Sequence, residues 1–186
     1  MKHLIFSIVI SLFIYSFCFA KGTDIKMRNF GKNYNIYATA GEGESICGGS
    51  LSIRVLLRGQ EILIDGTIVK RNGFIQDWWV SDINGDEQPE IFVWVRSCGS
   101  GSLGKLYSYT FDGNRIHNMN IARPDKDLTK GYRGNDVYQI EEDGIIRKFP
   151  RYDKKDSNAK SSLGTTTLKY LFNEKKWIEV EPGVSY

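Results

Sequence analysis

The sequence predicts an all-β protein, either an antiparallel β-sandwich or a partly closed barrel. Short apolar, aromatic or alternating segments recur along the chain, and glycine, asparagine and aspartate separate them. No long segment shows the apolar period of about 3.6 residues that is typical of a helix. No repeat covers the chain, which disfavours a propeller or a solenoid.

Roughly ten to eleven short strands are expected, joined mostly by tight turns. Asn72-Gly73 and Asp143-Gly144 are typical of hairpins, and Asn72-Gly73 favours a type I′ turn. Trp78 and Trp79 should face opposite sides of their strand. The predicted strands are Tyr34–Thr39, Leu51–Arg58, Glu61–Arg71, Phe74–Ser81, Ile91–Val95, Leu106–Phe111, Arg115–Ile121, Val137–Glu142, Ile145–Tyr152, Thr165–Phe172 and Trp177–Glu181.

The N-terminus is typical of a secretory signal peptide. One lysine precedes the apolar run Leu4–Phe17, and small residues near Ala20 favour cleavage there. A membrane anchor is the alternative, but the run is shorter than the roughly 20 residues that span a bilayer. Lipid attachment at Cys18 is disfavoured by the bulky residue before it. We therefore expect a signal peptide over 1–20, a single all-β domain over 21–186, and export to the periplasm or the extracellular space.

The net charge and the cysteine content indicate what kind of partner and what kind of cross-link to expect. The formal net charge is +3, without a long basic run, which gives no reason to expect a nucleic-acid partner. After removal of the signal, Cys47 and Cys98 remain as an even pair in an exported chain, so a disulfide between them is expected. Two separate buried thiols are the alternative.

A glycine- and serine-rich loop, Cys98–Gly104, lies between the apolar strand Ile91–Val95 and the aromatic strand Leu106–Phe111. A loop of small residues between two stiff strands can reach into a narrow cleft. A disulfide at its base would reduce the free energy of ordering the loop on binding. A plain hairpin connection is the alternative.

An acidic turn precedes that strand and is the best candidate for a metal site. Asp82, Asn84 and Asp86 occupy alternate positions, and Glu90 follows. Hard oxygen ligands at this spacing suit Ca²⁺, although Glu87 stands where an EF-hand loop has its glycine. The alternative is a turn whose side chains accept backbone hydrogen bonds. Calcium is therefore a candidate ligand, and no cofactor is required.

Catalytic motifs are missing from the sequence. Beyond the signal the chain has one histidine, His117, with no recognisable partner motif, and no nucleophile elbow, zinc-protease motif or phosphate loop is present. The sequence therefore disfavours a hydrolase. A carbohydrate platform is a further alternative, although strand tryptophans usually pack inward. Its members would be Trp78, Trp79, Trp94 and Trp177.

The order of several motifs resembles the family of periplasmic inhibitors of invertebrate-type (I-type) lysozyme. The likeness runs from about Trp78 to the C-terminus, and it depends on order and spacing rather than on any one motif. The motifs are Asp82–Asp86 with Pro89-Glu90, Ser100–Ser102, Gly131–Asp136, Arg147–Pro150 with Tyr152, Asp156 with Asn158, and Leu168–Tyr170.

The resemblance implies an exported all-β inhibitor that is not an enzyme. Its Ser-Gly-x-Tyr loop would enter the lysozyme cleft and block the catalytic carboxylates. Ser100 and Gly101 match this motif, whereas Leu103 stands at the tyrosine position. The implied partner-binding loop is Ser100, Gly101, Ser102 and Leu103, with Tyr107 as a substitute for the tyrosine.

The resemblance also implies secondary contacts from a second segment, namely Tyr132, Arg133, Asn135 and Asp136. Asn135 stands where the family pattern has histidine. Leu103 and Asn135 leave the class of target lysozyme open, although an I-type lysozyme is the expected partner. The alternative function is a calcium-stabilised extracellular binding or adhesion module.

Overall fold

The computed structural model describes residues 27–181, and the expected signal peptide over 1–20 lies outside this range. The described chain consists of twelve strands joined by turns and loops, without a helix. The strands are β1 (Met27–Phe30), β2 (Tyr34–Ala40), β3 (Gly49–Leu57), β4 (Ile62–Arg71), β5 (Phe74–Ser81), β6 (Glu90–Arg96), β7 (Gly104–Phe111), β8 (Ile116–Asn118), β9 (Val137–Ile140), β10 (Gly144–Pro150), β11 (Thr165–Leu171) and β12 (Lys176–Glu179).

The strands form three antiparallel sheets of four strands each. The first sheet has the order β1-β2-β3-β4, the central sheet β5-β6-β7-β8, and the third sheet β12-β11-β10-β9. Every neighbour within a sheet is also a neighbour along the chain, so each sheet is a meander of hairpins. The predicted fold class is confirmed, with three sheets rather than the two of a simple sandwich.

Strand β6 lies between two hydrophobic cores, so both of its faces are covered. Ile91, Val93 and Val95 belong to a core shared with the first sheet. Phe92 and Trp94 belong to a second core shared with the third sheet. Alternate side chains of a strand point to opposite faces, so one strand contributes to both cores. Full burial of such a side chain stabilises the fold by about 1.5–3 kcal/mol.

The two cores also account for the tryptophans. Trp78 packs in the first core and Trp79 against the second, which confirms that they face opposite sides of β5. Trp78, Trp94 and Trp177 are each less than a tenth exposed. A carbohydrate platform built from the four tryptophans is therefore ruled out.

The predicted hairpin at Asn72-Gly73 is wrong. This turn joins β4 of the first sheet to β5 of the central sheet, and the two strands do not pair. Gly73 has a φ of +128°, and a Cβ on it would lie 2.2 Å from the Arg96 carbonyl oxygen. Glycine is needed here because the chain crosses between layers close to another backbone segment. The Asp143-Gly144 hairpin between β9 and β10 is confirmed.

Most strand ends differ from the sequence prediction by one or two residues, and two strands, β8 and β1, differ by more. Strand β8 covers only Ile116–Asn118, because it pairs with β7 over only three residues. Strand β1 was not predicted, and it pairs with β2 over all four of its residues. Among residues 27–181 no helix is long and apolar enough to cross a membrane.

Candidate functional site

The glycine- and serine-rich loop connects β6 to β7 at one end of the central sheet. Its tip is a tight turn in which the Ser102 amide donates to the Gly99 carbonyl at 2.9 Å. Ser97 closes the base: its amide donates to the Leu103 carbonyl at 2.9 Å, and its hydroxyl accepts from the Leu103 amide at 2.8 Å. Ser102 adopts a left-handed φ of +45°. The loop thus has a defined conformation of its own.

Ser100 and Leu103 are the side chains that this loop presents to solvent. Gly99 and Ser100 are exposed, and Leu103 is 50% exposed. Gly101 and Ser102 are half-buried. The expectation of a solvent-facing tip therefore holds for the first and last residues of the tip, while its middle rests on a neighbouring segment.

The predicted disulfide is confirmed. Cys47 and Cys98 are bonded, with Cα atoms 5.6 Å apart and a sequence separation of 51 positions. Cys98 lies between β6 and the tip, so the bond ties the start of the loop to the segment before β3. In the chain-entropy description a closed loop of this size stabilises the fold by about 4 kcal/mol.

The segment 131–136 lies directly against the loop. The Asn135 amide donates to the Gly101 carbonyl at 3.0 Å and to the Ser102 carbonyl at 3.1 Å. A Cβ on Gly134 would lie 1.7 Å from the Gly101 oxygen, and Gly134 has a φ of +111°. Both facts require glycine at 134. The structure therefore brings the two predicted contact segments together, through backbone contacts.

Asp136 is buried beneath this contact. Its residue exposure is 1% and that of Arg147 is 9%. Asp136 Oδ1 accepts from Arg147 Nε at 2.6 Å, while Oδ2 accepts from the Gly104 amide at 2.8 Å and from the Tyr132 hydroxyl. Burial and the neighbouring carboxylate both raise the pKa of Tyr132, which keeps its hydroxyl protonated as a donor.

Arg133 holds a second loop beside the same segment. Its guanidinium donates to the Asp156 carbonyl at 2.7 Å and to the Asp153 carbonyl at 2.8 Å, and it lies 5.4 Å from the centroid of the Tyr152 ring. The Tyr152 hydroxyl accepts from Asn135 Nδ2 at 3.1 Å. Arg133 and Asn135 therefore connect the tip region to the loop that follows β10.

Tyr107 is not at the tip. It lies within β7, opposite Val93 of β6, on the face that packs against the first sheet. Its hydroxyl donates to the Lys70 carbonyl at 3.0 Å. The neighbouring Lys105 ammonium lies 4.2 Å from the ring centroid. The position that the family pattern gives to tyrosine is thus filled by Leu103 alone.

The acidic turn between β5 and β6 is built from side-chain to backbone hydrogen bonds. Asp82 Oδ1 accepts from the amides of Gly85 and Asp86, at 2.8 and 3.0 Å, and its Oδ2 accepts from the Glu87 amide at 3.0 Å. Asn84 Oδ1 also accepts from the Asp86 amide, at 2.9 Å. Such bonds are sufficient to fold an Asx-type turn without an ion.

Glu90 anchors this turn to the central sheet. It is fully buried, and its carboxylate accepts from the Ile83 amide at 2.9 Å and from Asn84 Nδ2 at 3.0 Å. Burial raises the pKa of Glu90, against the lowering effect of the Ile83 amide. Over 27–181, no group of three or more His, Cys, Asp or Glu is arranged to hold a metal. Calcium binding here stays a prediction.

Sequence analysis did not identify two residues that help to hold the loop in place: Arg147, which binds Asp136, and Gly134, which contacts Gly101. The sequence pattern assigns no role to Arg147 or Gly134, although both lie within the motifs that resemble the inhibitor family. A signal was present for Gly134, because a glycine directly before Asn-Asp is typical of a left-handed turn. The pairing of Asp136 with Arg147 had no local signal, since it depends on how β9 and β10 align.

These observations define a binding protein: an all-β scaffold that presents one pinned loop of small residues. A family model described as "Periplasmic lysozyme inhibitor of I-type lysozyme" matches residues 24–135. The chain belongs to this family of periplasmic lysozyme inhibitors, which are inhibitor proteins rather than enzymes. The match includes the first sheet, where sequence analysis found little likeness, and it ends before the third sheet, where a likeness had been expected.

Two solved structures are similar to part of the chain. One is Aeromonas hydrophila PliI in complex with Meretrix lusoria lysozyme, with 29% identity and a TM-score of 0.48 over 52% of this chain and 81% of that chain. The other is PliI-Ah from the same bacterium, with 28% identity and a TM-score of 0.48 over 52% of this chain and 85% of that chain. No curated protein matches the chain.

Proposed function

We propose that this protein inhibits an I-type lysozyme by inserting the Ser100–Leu103 tip into the enzyme's active-site cleft. Family membership supports the class of target. The observation that carries the mode of inhibition is the exposure of Ser100 and Leu103 on a loop whose two ends are both tied down.

The chemistry of the tip suits a glycosidase cleft. Such enzymes commonly use a pair of carboxyl groups that flank the scissile bond. The Ser100 hydroxyl can donate a hydrogen bond to a carboxylate, and Leu103 can fill an apolar sugar subsite. Because the tip is already ordered by its own hydrogen bonds, little conformational entropy is lost when it binds.

A lysis assay with Meretrix lusoria lysozyme tests this proposal, with chicken-type and goose-type lysozymes beside it. We expect inhibition of the I-type enzyme. Ser100→Trp should abolish it, because the bulky ring cannot follow the tip into a narrow cleft. Asn114→Trp is the matched control: Asn114 is exposed in the turn after β7, at the far end of that strand, roughly 25 Å away. Inhibition that survives Ser100→Trp would exclude insertion of the tip.

Leu103 provides a second test of the same mode. Leu103→Tyr restores the hydroxyl of the family pattern and should lower the inhibition constant by about tenfold, the value of one good hydrogen bond to a charged group. Leu103→Ala should raise the constant, because it removes the exposed apolar side chain. Equal constants for all three proteins would mean that Leu103 does not contact the enzyme.

We also propose that the chain is exported with cleavage after Ala20 and that residues 21–186 fold as one domain. The mass of protein recovered from the periplasm would identify the first residue and the intact disulfide together. A single cooperative unfolding transition is expected for one domain. Two separate transitions would contradict the single-domain assignment.

A further inference from the structure

A buried ion pair lies directly below the loop. The Asp136 side chain is fully buried and that of Arg147 is 10% exposed, with an N···O distance of 2.6 Å. Removing two charges from water is costly, and replacing such a pair by apolar residues is often neutral or stabilising. The pair therefore calls for an explanation other than stability.

The hydrogen bonds of the carboxylate indicate what the pair does. Oδ1 accepts from Arg147, which leaves Oδ2 for the Gly104 amide at 2.8 Å and the Tyr132 hydroxyl. Gly104 directly follows Leu103 and is the first residue of β7. The carboxylate thus holds the backbone at the point where the tip enters the strand. A Cβ on Gly104 would lie 2.7 Å from the Asp136 Cβ, so the contact is close.

Arg147 is in turn fixed by the third sheet. It lies in the middle of β10, opposite Tyr138 of β9 and Leu168 of β11. Its guanidinium lies 4.7 Å from the ring centroid of Tyr132 and 5.1 Å from that of Phe149. Aromatic rings and two neighbouring strands therefore determine where the charge sits, and through it the position of Asp136.

We propose that Asp136 and Arg147 are positioning residues for inhibition: they lock the C-terminal base of the tip to the third sheet, so that Ser100 and Leu103 are held in the orientation that binds lysozyme. The inference rests on the proposed function. Both residues lie beyond the part of the chain that the family model matches. Affinity would therefore depend on residues that never touch the enzyme.

Arg147→Met tests the proposal, with Lys169→Met as the matched control. Lys169 is the other buried cation of the third sheet, 6% exposed and paired with Asp143 at 2.7 Å. It lies opposite Ile146, whereas Arg147 lies opposite Leu168, so the two side chains are on opposite faces of the sheet. We expect Arg147→Met to speed dissociation from I-type lysozyme about tenfold. Lys169→Met should leave the dissociation rate unchanged while lowering the melting temperature.

A second variant separates positioning from a loss of folding. Arg147→Met leaves a buried carboxylate without its cation, whereas Asp136→Asn with Arg147→Met leaves a neutral amide whose oxygen still accepts from Gly104. We expect this double variant to dissociate more slowly than Arg147→Met alone. A dissociation rate equal to that of the single variant would contradict the proposed role of the carboxylate.

Amide hydrogen exchange gives a readout that needs no lysozyme. In Arg147→Met, exchange at Gly104 should rise at least about tenfold, while exchange at Tyr109, within the β6–β7 ladder, stays as in the wild type. Unchanged protection of Gly104 together with wild-type dissociation would overturn the inference. If the wild-type protein inhibits no lysozyme, the proposed function is refuted, and the exchange at Gly104 still decides whether the pair holds the loop.

Discussion

Gly134→Ala is the sharpest test of how the tip is held. The new Cβ would lie 1.7 Å from the Gly101 carbonyl oxygen, whereas real Cβ contacts are essentially never shorter than 3.0 Å. The two segments must therefore separate by more than about 1 Å, and the bonds from the Asn135 amide to Gly101 and Ser102, at 3.0 and 3.1 Å, cannot survive.

The expected magnitude follows from these contacts. A left-handed φ of +111° in a residue with a side chain costs about 1–2 kcal/mol. The two bonds share one donor N–H, so their loss together costs about 1 kcal/mol. We expect a loss of about 2–3 kcal/mol in the free energy of unfolding, which corresponds to a fall in melting temperature of roughly 4–12 °C for a protein of this size. Inhibition of I-type lysozyme should weaken by at least about tenfold, because the tip is displaced.

Gly59→Ala is the matched control. Gly59 has a φ of +80°, and nothing lies within 4 Å of a Cβ placed there. This variant introduces the backbone strain without the collision, so its melting temperature should fall by only a few degrees, with inhibition unchanged. Circular dichroism on heating and the inhibition constant in the lysis assay measure both quantities. If Gly134→Ala behaves like Gly59→Ala in both, the second segment does not hold the tip.

Three further predictions concern the disulfide, calcium and pH. Reduction of the Cys47–Cys98 bond should lower the free energy of unfolding by about 4 kcal/mol and weaken inhibition; unchanged inhibition would show that the tip keeps its conformation without the bond. If the acidic turn holds calcium, the ion should raise the melting temperature and Asp82→Ala should abolish the gain, whereas identical curves with ion and with chelator would exclude it. The pKa of Asp112 is lowered to about 2 by hydrogen bonds from the Arg115 amide, the His117 side chain and the Asn114 amide. The contribution of Asp112 to stability is therefore present above the ordinary carboxyl range and is lost as pH falls towards 2. His117→Ala should raise the pKa of Asp112 in an NMR titration.

Local patterns were sufficient to predict most of the strands. Apolar and aromatic residues directly after a turn located Phe74–Ser81, and a continuous apolar run located β6, whose two buried faces explain why it does not alternate. Strand β1, Met27–Phe30, has one large aromatic residue and an exposed pattern. It exists because β2 offers a partner edge, and pairing of this kind leaves little trace in a four-residue sequence.

The Asn72-Gly73 turn shows where local reasoning fails. The dipeptide was interpreted from its hairpin propensity, yet the chain uses it to cross from the first sheet to the central one. Arg71, immediately before it, is buried and donates to the carbonyl oxygens of Ser45, Ile46, Ser50 and Gly73. The bonds to Ser45, Ile46 and Ser50 join the turn to the start of β3 and the segment before it, and they depend on chain positions more than 20 residues away. A two-residue motif does not contain that information.

Only the local features of the site could be predicted from the sequence, because its long-range contacts are not contained in short motifs. Small residues between two stiff strands identified the loop, and an even pair of cysteines identified the disulfide at its base. The role of Asp136 could not be inferred, because an aspartate after asparagine in a turn is usually exposed, whereas this one is buried by the third sheet. The contact between Gly134 and Gly101 likewise appears only when the two loops are brought together in three dimensions.

A loop made of glycine and serine contributes little apolar surface, so its order must come from the elements around it. On the N-terminal side, β6 is packed between two cores and the Cys47–Cys98 bond fixes the chain as it leaves the strand. On the C-terminal side, Asp136 holds the Gly104 amide and Arg147 holds Asp136. The first sheet thus secures one end of the tip and the third sheet secures the other. A change that breaks the Cys47–Cys98 bond or removes Arg147 should therefore alter binding without altering the residues that meet the enzyme.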